Sequence, residues 1–179
     1  MKSPAVLILV ALLLTVAIQQ LGEVANILKE KVVLNAALMN SCRAAHKNSL
    51  NIWYMMNLEA YVNENDFIQL FSDTFSESLN LTHHFDKNTN TTNQVVFTSK
   101  NSRFNDITVE FEFENTTYNE LEYYDLGVTD YHDRPVTVVT LKMQTPYLFR
   151  SYWLGWANDV SKEHYLLTYN RKFLVQIIN

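Results

Sequence analysis

His83, His84 and Asp86 fall within four residues of one another, and Asp130, His132 and Asp133 within another four. Imidazole and carboxylate are zinc-ligand chemistry. Sequence neighbours on a strand or helix point in different directions, however, and no H-E-x-x-H or paired C-x-x-C accompanies them. Both clusters read as polar ends of elements, and no metal is expected. Glu110, Glu112 and Glu114 recur on one side of a strand, about 7 Å apart. Calcium binding or acid and base work would need partners from other elements, so the wet face of an amphipathic strand is the simpler reading. The chain has no G-x-S-x-G, and its histidines stand in no fixed relation to a serine. A hydrolase would have to gather His83, His132 or His164 with carboxylates, and nothing linear predicts that gathering. The expectation is a chain that is not an enzyme.

Composition narrows the remaining classes. The chain has three glycines, at positions 22, 127 and 155, so neither a Walker loop nor a dinucleotide fingerprint can be built, and no nucleotide or other cofactor is expected. Net charge is −5 with no run of Lys or Arg, which argues against nucleic acid as a partner. Cys42 is the one cysteine, so no internal disulfide can form, and its place on a helix face reads first as a small buried residue. Three N-x-T matches, at Asn80, Asn90 and Asn115, are what Asn-rich loops produce by chance. Hydrophobic content of 47% with 18% charged residues is that of a packed globular chain.

The elements that must position these residues begin with the first 21. Behind a short head with Lys2 as its cation, Ala5–Ile18 is apolar and uncharged. As a helix, Pro4 to Leu21 measures about 27 Å, near the lower limit for crossing a hydrocarbon core. Pro4, Leu7, Leu9, Leu12, Leu14, Ile18 and Leu21 are the expected anchor residues. The nearest approach to a small-residue cleavage site is Thr15-Val16-Ala17, and helix formers run on from Glu23 to Lys31. A retained single-pass anchor is therefore preferred over a cleaved signal. The few flanking charges favour the amino terminus in the cytoplasm and the rest outside.

From Glu23 to about Leu58 the pattern is helical. Val24, Leu28, Val32, Met39 and Arg43 follow one stripe and Ile27, Lys31, Leu34 and Leu38 a neighbouring one, giving an amphipathic stalk. The first stripe is assigned to helix association, with Arg43 as a candidate partner for an acid on a neighbouring subunit. Asn63-Glu64-Asn65-Asp66 reads as a break with a cap, followed by a shorter helix carrying Phe67, Leu70, Phe71, Phe75 and Leu79. Asp86–Asn93 reads as a linker. The period then changes to two: Ile107, Val109, Phe111 and Phe113 form the dry side of a strand, Val95–Thr98 and Val136–Met143 look like strands, and His164–Tyr169 with Lys172–Ile178 make a closing pair or one long bent strand. Helices first and strands after predict α+β, with an antiparallel sheet of about four or five strands covered on one face. The division expected is 1–21 anchor, 22–82 stalk and second helix, and 83–179 sheet, in a single extracytoplasmic domain. Tyr147, Phe149, Tyr152, Trp153 and Trp156 put five aromatics within ten residues. They either close the core or form a contact patch, and the patch would suit a secreted or anchored binding module.

Leu38-Met39-Asn40-Ser41-Cys42-Arg43-Ala44-Ala45, then Ala60-Tyr61-Val62-Asn63, Phe67, Phe71 and Ser78-Leu79-Asn80-Leu81, resemble a pattern in pilin-like membrane proteins of Gram-positive bacteria. These are related to the minor pilins of tight-adherence pilus systems and, more broadly, to type IV pilins. The resemblance covers residues 1–82. It implies a membrane helix continuing into a stalk, a sheet domain at the cell surface, and like or related pilin subunits as partners. Standard pilins carry a leader ending in Gly and a Glu near the start of the apolar segment. Here Gly22 is the first glycine and Glu23 the first acid, which points to an anchored minor or accessory subunit of a pilus or secretion-type assembly.

Overall fold

The computed structural model describes residues 4–50, 62–85, 93–117, 135–150 and 165–175. Helix α1 spans Pro4–Ser49 and α2 spans Glu64–Leu79. Strands β1 (Leu81–His83), β2 (Gln94–Ser99), β3 (Ile107–Thr117), β4 (Pro135–Pro146) and β5 (Leu166–Val175) follow. This is the α+β arrangement expected. The five strands lie in sequence order, each antiparallel to the next.

Helix α1 runs through positions 21 and 22 without a break, because between Pro4 and Ser49 it holds one glycine, Gly22, and no further proline. It is long and apolar enough near its amino terminus to cross a membrane, and none of its most apolar window is buried. The upper half turns one face to the rest of the molecule. Leu34, Ala37, Leu38, Ser41, Cys42, Ala45 and Ser49 are buried, a three-four spacing that keeps one side of a 3.6-residue helix in contact. The small Ala and Ser side chains let α2 approach closely. The helix ends nine residues before the limit expected at Leu58. Leu50 bridges to Val62, and the Asn63 amide donates to the Ser49 carbonyl at 3.4 Å, so the chain turns back here. Residues 51–61 lie outside the described set.

Helix α2 starts where its cap predicts. The Asn63 side chain accepts from the Asp66 amide at 3.3 Å, and Glu64 and Asp66 place negative charge in the first turn. It ends at Asn80, whose φ of 55° is left-handed and whose amide donates to the Glu77 carbonyl at 3.4 Å. Phe67, Phe71 and Phe75, four residues apart, lie on the sheet. Phe71 meets Phe111 edge-on at 5.0 Å between ring centroids, and Phe75 meets Phe97 at 4.9 Å.

Strand β3 presents Ile107, Val109 and Phe111 to this core and Glu110, Glu112 and Glu114 to solvent, as its alternation requires. The closing segment is one strand, β5, over its described length; 176–179 are outside the described residues. The sheet begins at Leu81, two residues before the boundary expected at 83, because β1 starts directly after the α2 cap. The expected linker falls almost wholly outside the described residues, since only Asn93 of it is described.

Candidate functional site

Among the described residues, those singled out for catalysis or metal binding do not converge. His83 lies on β1 with Nε2 3.1 Å from an Asp73 carboxylate oxygen and its ring beside Phe97, which ties α2 to the sheet edge. Glu112 pairs with Lys142 across β3 and β4 at the surface. Among the described residues, no three His, Cys, Asp or Glu side chains gather as metal ligands. Asp86, Asp130, His132, Asp133 and His164 are outside the described set. Cys42 is buried, and burial pushes its thiol up to about 12, away from thiolate chemistry.

Among the described residues, a buried polar arrangement lies elsewhere, where the lower stalk meets the sheet. Glu23 and Glu30 are two helical turns apart on the face that continues upward into Leu34 and Leu38, and they are only 5% and 4% exposed. An unpaired buried carboxylate would cost several kcal/mol. Both are met by the segment that leaves β4. The Tyr147 hydroxyl donates to Glu23 Oε2 at 2.8 Å, and the Arg150 amide donates to Glu23 Oε1 at 3.0 Å. The Arg150 guanidinium pairs with Glu30.

Burial holds the Glu30 carboxyl above the usual carboxylate range, with Arg150 pulling the other way. Burial also raises the Tyr147 hydroxyl, and its bond to Glu23 raises it further, so Tyr147 stays a neutral donor. Strand β5 adds two contacts higher up. Tyr169 donates to the Lys31 carbonyl at 3.1 Å, its hydroxyl lifted to about 12 mainly by burial, and Arg171 reaches Asn35 at 3.4 Å. Tyr147 and Arg150, which meet this carboxylate pair, both belong to the segment that leaves β4. The chemistry of the pair is attachment of the sheet to the helix.

This attachment decides what the stalk leaves bare. Of the stripe assigned to helix association, Val24, Leu28 and Val32 are each more than half exposed, Met39 is half-buried and Arg43 is exposed. The neighbouring stripe, through Ile27, Leu34 and Leu38, is the one that meets the core, although Lys31 within it is exposed. The anchor residues Pro4, Leu7, Leu9, Leu12, Leu14, Ile18 and Leu21 are all exposed.

The aromatic segment divides. Tyr147 is buried against Glu23, which removes it from a contact patch, because its hydroxyl is needed inside. Phe149 is half-buried, edge-on to Tyr147 and Tyr165 at 5.1 Å each. Tyr152, Trp153 and Trp156 lie outside the described residues.

Sequence reasoning missed the roles of Glu23, Glu30 and Arg150. The signal was present as the series 23, 27, 30, 34, 37–38, 41–42, 45, 49, which places both acids on the face that continues into Leu34 and Leu38. The fold and this seam together define an α+β chain with one helix apolar enough to cross a membrane and a sheet fastened beside that helix. No protein-family model, curated protein or solved structure matches the chain.

Proposed function

We propose that the chain is a single-pass, pilin-like structural protein of the cell surface, a minor or accessory subunit whose helix is anchored through Pro4–Leu21 and packs against like or related helices. The observation that carries this reading is the bare ridge Leu21, Val24, Leu28 and Val32, continuous with the apolar segment below it. The sheet is fixed to the opposite side through Glu23 and Glu30. A contiguous exposed apolar row of this kind marks a surface that meets a partner or lipid. Helices that continue an apolar seam beyond the lipid cover it by pairing.

The test uses full-length protein in membranes. After an alkaline wash it is expected in the pellet. In a Cys42→Ala background, Leu28→Cys and Val32→Cys are expected to give covalent dimers or adducts with a related subunit on oxidation, and the surface control Glu114→Cys is not. Release by the wash, or equal crosslinking at Glu114→Cys, would overturn the reading.

A further inference from the structure

We infer that the lower rim of the sheet domain rests on the membrane surface and binds anionic phospholipid headgroups. The inference rests on the anchor reading above. Glu23 follows Leu21 by two residues, about 3 Å of helical rise. The headgroup layer extends roughly 5–7 Å beyond the hydrocarbon on each side. The side chain that fastens the sheet to the helix therefore stands within that layer, and the rim it holds cannot stand clear of it.

Strand β5 supplies an independent measure of height. It climbs beside α1, with Tyr169 at the Lys31 carbonyl and Arg171 at Asn35, so two strand residues match four helical ones. Continued downward, the same pitch brings Tyr165 and Leu166 to about the level of Glu23. The Tyr147 amide donates to the Tyr165 carbonyl at 2.8 Å, which ties that level to the segment bonded to Glu23. The β2–β3 turn lies at the same end, since the Asn105 side chain donates to the Pro146 carbonyl at 3.2 Å.

The chemistry of this rim fits its position. Tyr165 and Leu166 are exposed there, an amphipathic ring beside an aliphatic chain. Lys29, Lys31 and Arg103 are exposed above them, and Arg150 is partly so while paired with Glu30. Side chains on an α-helix lean toward its amino terminus, so Lys29 and Lys31 lean toward the lipid, and long cationic chains reach several ångströms further. Among the described residues, the acids at this level are Glu23 and Glu30, both buried, and Asp106, which is exposed on the β2–β3 turn. Although the whole chain carries −5, the described residues of the rim present exposed cations, which suit an anionic surface.

The experiment places full-length protein in lipid nanodiscs, either pure phosphatidylcholine or phosphatidylcholine with about a third phosphatidylglycerol, and reads amide hydrogen exchange. Amides of 101–106 and 165–167 are expected to exchange several-fold more slowly in the anionic discs than in neutral detergent micelles, with less slowing in the neutral discs. Lys29→Glu with Arg103→Glu is expected to remove the anionic increment while the β3 and β4 amides keep their protection, which shows that the fold survives. Lys29→Glu with Lys31→Glu serves as a second variant that leaves the sheet untouched. Equal exchange in discs and micelles would overturn the inference alone. Slowing that ignores phosphatidylglycerol, or that follows the number of copies per disc, would also overturn it, the latter in favour of contact between chains. A chain that fails to co-elute with the discs would overturn the anchor reading and this inference together.

Discussion

The stalk is fastened to the rest of the molecule by two different chemistries. Its upper length, Leu34 to Ser49, meets α2 and the sheet through Leu, Ala and Phe side chains. Its lower length, Glu23 to Glu30, is held by two buried carboxylates against one tyrosine and one arginine. The apolar seam has its value from area removed from water, is indifferent to direction and tolerates small shifts. The polar seam has almost no tolerance, because a carboxylate that loses its donors in a buried site loses more than the bond was worth. The upper contact thus supplies most of the stability, while the lower one fixes height and rotation of the sheet on the helix beside the apolar segment. An all-apolar lower seam would leave the sheet free to slide and would add hydrophobic surface next to the exposed ridge.

The largest effect belongs to the upper seam. Phe71 is fully buried, stacked on Phe75 and edge-on to Phe111. Phe71→Ala is expected to cost about 3–5 kcal/mol and to lower the unfolding midpoint of the whole domain in chemical denaturation. A local change, with the sheet intact, would show that the two seams do not share one cooperative core. Next comes Arg150→Ala, which keeps the amide bond to Glu23 and removes the cation beside Glu30. Because the Arg150 side chain is 40% exposed, the penalty is discounted for solvent screening to about 1–3 kcal/mol. Its signature is local: amides of 165–169 should exchange faster than those of α2.

How much of this was legible in the sequence follows the same division. The dry face of β3, the cap at Asn63 and the phenylalanine spacing of α2 each rest on a period or a local rule that neighbouring residues obey, and the structure has them where the pattern puts them. On α1 a helical period alone cannot say which of two adjacent apolar stripes faces inward. Val24, Leu28 and Val32 make the more continuous row, yet the inward row passes through Glu23 and Glu30. Choosing between them needs the knowledge that Tyr147 and Arg150, more than a hundred residues away, arrive to satisfy those acids. No local rule carries that, just as none distinguishes Tyr147, turned inward, from the other aromatics of its segment.

A gentler substitution separates the charge of the lower seam from its shape. Glu30→Gln keeps the volume and a hydrogen-bond acceptor for Arg150, and it removes the cost of burying a charge, so stability at pH 7 is expected to stay within about 1 kcal/mol of the wild type. The pH dependence has a definite sign. Burial raises the folded-state pKa of Glu30 above its ordinary value of 4.5, so the folded chain holds that proton more tightly than the unfolded one. Wild-type stability should therefore rise relative to Glu30→Gln as pH falls from neutrality toward about 4.5, and the difference should level off below it. Urea midpoints of the two proteins measured over that range give the comparison directly. A difference that moves the other way would mean that Arg150, not burial, governs this carboxyl.

The smallest expected effect lies at the junction of the two lengths of α1. Gly22 is helical, and a Cβ placed on it meets nothing within 4 Å. Its backbone therefore does not need glycine, and Gly22→Ala should stabilise the helix by about 0.5–1 kcal/mol. This gain is too small to register in unfolding of the domain, which is governed by the upper seam. It should appear instead as slower amide exchange at residues 20–26, in the segment joining the apolar length to Glu23. A helix that is already rigid there, because Glu23 pins it to Tyr147 and Arg150, would show little change. Combined with Tyr147→Phe, which frees Glu23 from its hydroxyl donor, the same alanine should then slow exchange measurably more than it does alone. Such non-additivity is the direct sign that the polar seam, rather than helical propensity, sets the stiffness of the joint.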